Sequence, residues 1–137
     1  MANRTVFDTN IWISYFLGGK FDELIKLRRE NSVLFLHSTP SVAELKDVIS
    51  RDKFKKNNLD VDKLIDFYIG ISDFCKTKPE FIDCPDPKDN FLFDLAIQGN
   101  AKYLVSGDKR VLETPMESKT LKIATLAAFK EDLQSRK

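Results

Sequence analysis

Val33-Leu34-Phe35-Leu36-His37-Ser38-Thr39-Pro40-Ser41 decides how this chain folds. Its first four residues are apolar without a break, the pattern of a strand covered on both faces, as parallel strands in α/β folds are. Ser38-Thr39-Pro40-Ser41 then reads as a helix start. A buried strand running straight into a helix is half of a strand-helix-strand unit, and the same step recurs on either side of it.

Upstream, Thr5-Val6-Phe7 is a short β-rich run that ends on Asp8, and Thr9-Asn10 offers polar caps before Ile11-Trp12-Ile13. Phe21 to Arg29 follows as an amphipathic helix carrying Phe21, Leu24, Ile25 and Leu27. Downstream, Val42, Leu45, Val48 and Ile49 form a helical apolar face from which Glu44 is displaced toward the strand edge or solvent. The residues from Asp60 to Phe74 repeat that pattern, with Asp60 or Asp62 near the start. Phe81-Ile82 reads as a short edge strand.

Cys84 to Gly99 holds another helix, approached through Pro85 and Pro87, opened by Asp89-Asn90 and closed by Gly99-Asn100 with a left-handed cap. Tyr103-Leu104-Val105 is a buried-type strand ending on Ser106-Gly107-Asp108. Leu121-Lys122-Ile123 is the last strand, and Thr125 caps a closing helix with Leu126, Ala127, Phe129 and Leu133 on one face. Strands alternate with helices throughout, which predicts a three-layer α/β/α sandwich around a mainly parallel, doubly wound sheet, as one domain over residues 1–137.

Bulk composition narrows the function classes. A length of 137 residues, 42% hydrophobic and 31% charged, describes a globular domain able to fold without disulfides. The N-terminal residues carry no long apolar run and no stretch of 18 apolar residues occurs, so the expected setting is the cytoplasm, with no membrane partner. A net charge of +1 means that a nucleic acid would have to meet a local basic patch. Cys75 and Cys84 lack metal-site spacing and His37 is the one histidine, so zinc is short of ligands and the cysteines read as free thiols.

Acidic residues carry the chemistry. Open parallel sheets bind ligands outside the carboxyl ends of their strands, where Asp8 and Asp108 are both predicted to lie. Asp89 at a helix entry and Glu44 one turn into its helix reach the same crevice. Each acid alone reads first as an ordinary helix cap; four coinciding in one crevice call for a hard divalent cation, Mg²⁺ or Mn²⁺. A metal held this way activates water and stabilises charge on a phosphoryl centre, whereas paired-histidine catalysis cannot be built from His37 alone. Asp94 lies about 140° around the helix from Asp89, which leaves it a supporting place. Asp86, before Pro87, is either a turn residue or a member of the site.

Phe7-Asp8-Thr9-Asn10, Ser41-Val42-Ala43-Glu44-Leu45, Pro85-Asp86-Pro87-Lys88-Asp89-Asn90 with Phe91 to Ala96, and Val105-Ser106-Gly107-Asp108 together resemble a PIN domain, nearest to the prokaryotic PIN toxins of toxin-antitoxin pairs. The resemblance implies a metal-dependent endoribonuclease with Asp8, Glu44, Asp89 and Asp108 as its acidic quartet and metal ligands. It also implies cleavage leaving a 3′-hydroxyl and a 5′-phosphate. Asn10 and Ser106 match small polar residues that orient the acids, Ser106 standing where threonine is commoner. RNA contacts are expected from Lys88, Lys109 and Arg110, with the run from Arg51 to Lys56 either an RNA contact or a solvated helix end. Trp12 and Tyr15 are expected at a homodimer or antitoxin surface. The alternative within the family is a catalytically silent RNA-binding or assembly module. A dehalogenase-like phosphatase is disfavoured because its second aspartate is replaced by Asn10.

Overall fold

The computed structural model describes residues 2–51, 60–116, 118 and 120–135. In chain order these form β1 (Asn3–Phe7), α1 (Thr9–Leu17), α2 (Phe21–Glu30), β2 (Val33–His37), α3 (Thr39–Ile49), α4 (Val61–Ile71) and β3 (Ser72–Phe74). A 3₁₀ turn at Pro87–Asp89 leads into α5 (Asn90–Gln98), followed by β4 (Tyr103–Val105), α6 (Lys109–Leu112), β5 (Lys122–Ala124) and α7 (Leu126–Ser135). The strands make one parallel sheet in the order β3-β2-β1-β4-β5. The chain first winds outward from β1 to β3 and then crosses back to β4, so the winding direction reverses between β1 and β4.

Alternation along each strand separates the two faces. Phe7, Val33, Phe35, Tyr103 and Val105 face a layer formed by α1, α2, α3, α4 and α7. Val6, Leu36 and Leu104 face α5 and the apolar residues around it. The first layer is built on aromatic rings. Phe7 sits edge-on to Phe35 at 4.9 Å and to Phe129 at 5.6 Å, and Trp12 meets Tyr68 at 4.8 Å. Trp12 and Tyr15 are 1% and 4% exposed, so they belong to this core and not to the docking surface expected of them.

Local signals account for most boundaries. Ser38 caps α3 in a reciprocal box with Ser41, Asp60 caps α4, and Thr125 Oγ1 accepts from the Ala128 amide at 3.2 Å. At the end of α5 the left-handed residue is Asn100, with φ 53°, and not Gly99. Gly99 is needed for room instead, because a Cβ there would lie 2.8 Å from Leu36 Cδ1 and 2.7 Å from the Leu95 carbonyl oxygen.

Two expectations change. The helix expected from Asp60 to Phe74 stops at Ile71, and the chain passes directly into β3, where Ser72 pairs with Phe35. That strand takes the edge position expected of Phe81-Ile82, which lies in irregular chain, with Phe81 stacked on Phe93 at 4.4 Å. His37 ends β2 with Nδ1 bonded to Ser72 Oγ at 2.7 Å, and both cysteines are free thiols. Among the described residues no helix is long and apolar enough to cross a membrane.

Candidate metal centre at the sheet's carboxyl edge

β1 and β4 are neighbours with Phe7 opposite Val105, so the residues that follow them emerge side by side where the winding reverses. The Asp8 amide donates to the Val105 carbonyl oxygen at 2.9 Å. Asp8 occupies the N-cap of α1, yet its carboxylate makes no capping hydrogen bond. It accepts instead from Ser106, whose Oγ donates to Asp8 Oδ2 at 2.6 Å and accepts from the Asp108 amide at 3.0 Å. Ser106 is fully buried, so one hydroxyl orients the first acid and the backbone that carries the second. Ser106→Ala is expected to free the Asp8 carboxylate and to weaken any Mn²⁺ binding there about 10- to 100-fold, the usual cost of losing a group that orients a ligand. Calorimetric titration of the folded variant with Mn²⁺ checks this.

The third acid comes from the entry to α5. Asp86 caps the 3₁₀ turn by accepting from the Lys88 amide at 3.2 Å, and Asn90 Oδ1 accepts from the Cys84 amide at 3.1 Å, which fixes the approach. Asp89 is the N-cap of α5 and, like Asp8, makes no side-chain cap bond. Asp108 does cap α6, accepting from the Arg110 amide at 2.9 Å. Capping therefore explains the carboxylates of Asp86 and Asp108 but not that of Asp89, while Asp8 is held by Ser106 with the Asn10 and Thr9 amides close by.

Asp89 senses the other three aspartates. Burial, and then the charges of Asp8, Asp86 and Asp108, push Asp89 up to about 6, with Arg110 opposing. Burial raises Asp8; the Ser106 hydrogen bond and the nearby Asn10 and Thr9 amides work against that, and the charge of Asp108 adds to it. Asp108 is held below the usual carboxylate range by the Arg110 side chain and amide. Arg110 Nη1 lies 3.2 Å from Asp86 Oδ2, and Nη2 lies 3.2 Å from Asp108 Oδ2.

A carboxyl raised in the folded state favours the protonated fold. Stability from Asp89 is thus fully present below the ordinary aspartate value and is lost as pH rises through about 6. In chelator-treated protein, melting temperature should rise between pH 7 and pH 5 by more in wild type than in Asp89→Asn. Thermal unfolding at the two pH values measures this, and equal rises would contradict it.

Among the described residues, the side chains of Glu44, Asp94, Asn10, Lys88 and Lys109 make no hydrogen bond or ion pair to the four aspartates. Glu44 is half-buried on α3 and makes no hydrogen bond or ion pair among the described residues, so no contact joins it to the aspartates. Asp94 serves a loop: its Oδ1 accepts from the Phe81 amide at 2.7 Å, the Glu80 amide at 3.0 Å and Gln98 Nε2 at 3.4 Å. Asn10 is exposed, with its backbone amide near Asp8. Lys88 is exposed at the crevice entry and Lys109 pairs with Glu113 at 3.8 Å. Arg51 pairs with Asp47 at 3.2 Å, and residues 52–56 of the expected basic run lie outside the described residues. The bridge from Arg110 to Asp86 was not expected, because nothing local links the two positions.

The donor chemistry fits a hard cation: carboxylate oxygens from three segments, with repulsion that Arg110 only partly offsets. Among the described residues no three Asp, Glu, His or Cys side chains stand in a ready-made coordinating array.

Comparison with known proteins agrees with the fold. The family model described as "PIN domain" matches residues 4–110. No curated protein matches the sequence. Among solved structures, a chain in the crystal structure of VapBC2 from Rickettsia felis bound to a DNA fragment from their promoter shares the fold. It has a TM-score of 0.57 and 17% identity, over 88% of this chain and 98% of that one.

Proposed function

Because the chain belongs to the PIN domain family, we propose that it is a metal-dependent endoribonuclease, the toxin of a toxin-antitoxin pair acting in the cytoplasm. The observation that carries this reading is that Ser106 joins Asp8 to the backbone of Asp108 at the ends of adjacent strands, with Asp89 close by and free of a capping bond. Asp8, Asp89 and Asp108 would hold Mg²⁺ or Mn²⁺, with Glu44 completing the shell or orienting the attacking water. What such an ion supplies is Lewis acidity toward water and toward the phosphoryl oxygens. The protein's own part is to hold Asp8 through Ser106, to present Asp89 free of capping duty, and to offer Lys88, Lys109 and Arg110 to the RNA backbone. An antitoxin partner belongs to the same reading, supported by the fold shared with a VapBC2 chain, and a homodimer is part of the proposal from the resemblance alone.

The test is cleavage of single-stranded RNA with Mn²⁺ and with a chelator. Products ending in a 3′-hydroxyl and a 5′-phosphate are expected with the metal. Undiminished activity in chelator would rule the mechanism out. RNA binding without cleavage in any divalent ion would favour the silent module instead.

A further inference from the structure

Among the described residues, Arg110 joins the two loops flanking the crevice by charged contacts, beside the neutral contact of the Thr114 hydroxyl with Cys84 Sγ at 3.6 Å. Nη1 reaches Asp86 Oδ2 at 3.2 Å. Nε and Nη2 grip Asp108 through Oδ1 at 3.4 Å and Oδ2 at 3.2 Å. The guanidinium is therefore the cation between the 3₁₀ turn at Pro87–Asp89 and the start of α6, and it lowers the repulsion on Asp89 as well. Both Asp108 oxygens face this one side chain, and a divalent ion on Asp108 would need at least one of them.

We infer that Arg110 is an internal occupant of the metal centre: its guanidinium bridges Asp86 and Asp108 when no divalent ion is bound and must leave Asp108 for one to bind. The inference rests on the metal-dependent reading of the site. It gives Asp86 a role different from that of its neighbours, holding the guanidinium and not the ion. The side chain is 57% exposed, so it can swing into solvent without disturbing the core.

Calorimetric titration with Mn²⁺ alone tests this in wild type, Arg110→Gln, Arg110→Lys and the double variant Arg110→Gln/Asp86→Asn. Arg110→Gln should bind about five-fold more tightly, the equivalent of two exposed ion pairs. Arg110→Lys keeps the charge but cannot grip Asp108 with two nitrogens while reaching Asp86, so it should also bind more tightly than wild type. Adding Asp86→Asn to Arg110→Gln should bring no further gain. Affinity in Arg110→Lys equal to wild type would show that only the local field matters and would overturn the bridge. So would unchanged affinity in Arg110→Gln. Failure of every protein to bind Mn²⁺ would instead remove the metal reading, and this inference with it.

Discussion

Asp8→Asn should slow Mn²⁺-dependent RNA cleavage on the order of 10³-fold, equivalent to roughly 4 kcal/mol of transition-state stabilisation. The protein should remain folded. Asp8 is 6% exposed and its carboxyl is raised chiefly by burial, so an ionised carboxylate is costly there at neutral pH. An amide of the same shape removes that charge and still offers Ser106 Oγ an oxygen to donate to. Melting temperature should therefore stay level or rise while kcat falls. Cleavage at the wild-type rate would contradict the role given to Asp8, and loss of folding would contradict the account of its burial.

Asp94→Ala should do the reverse. Its Oδ1 accepts from two backbone amides, Glu80 and Phe81, and the side chain is 6% exposed. Removing it leaves donors in partly buried chain without their charged acceptor, which costs about 3 kcal/mol in all. Phe81 would lose the anchor that holds it stacked on Phe93. Urea unfolding should show the loss, whereas Mn²⁺ affinity in the folded variant should match wild type. Weaker metal binding comparable to that of an Asp89 variant would return Asp94 to the site.

These two acids show where sequence reading succeeds and where it stops. The alternation of buried strands and amphipathic helices predicted a doubly wound parallel sheet, because two-sided burial leaves a run such as Val33 to Leu36 few other places to go. Asp8 and Asp108 were legible for the same reason: residues ending adjacent parallel strands must share one edge. The edge strand was not, because Ser72-Asp73-Phe74 continues an amphipathic helix in pattern and only pairing with β2 draws it out of the helix. Asp94 was placed by helical rotation relative to Asp89, but rotation says nothing of the loop at residues 78–81 that folds back over it. For Arg110 the charge was visible and its partner Asp86, distant in sequence, was not. The fold thus follows from periodicity, while the charge pairing inside the crevice follows from loop geometry that periodicity does not encode.

If Asp8, Asp89 and Asp108 together hold a divalent ion, isothermal titration of Mn²⁺ at pH 7.5 will separate wild type from Asp89→Asn. Asp89 makes no capping bond, so its substitution should leave the helix entry intact. Wild type should bind measurably, and Asp89→Asn at least ten-fold more weakly, about 1.4 kcal/mol or more. Equal affinity in the two proteins would rule out Asp89 as a ligand.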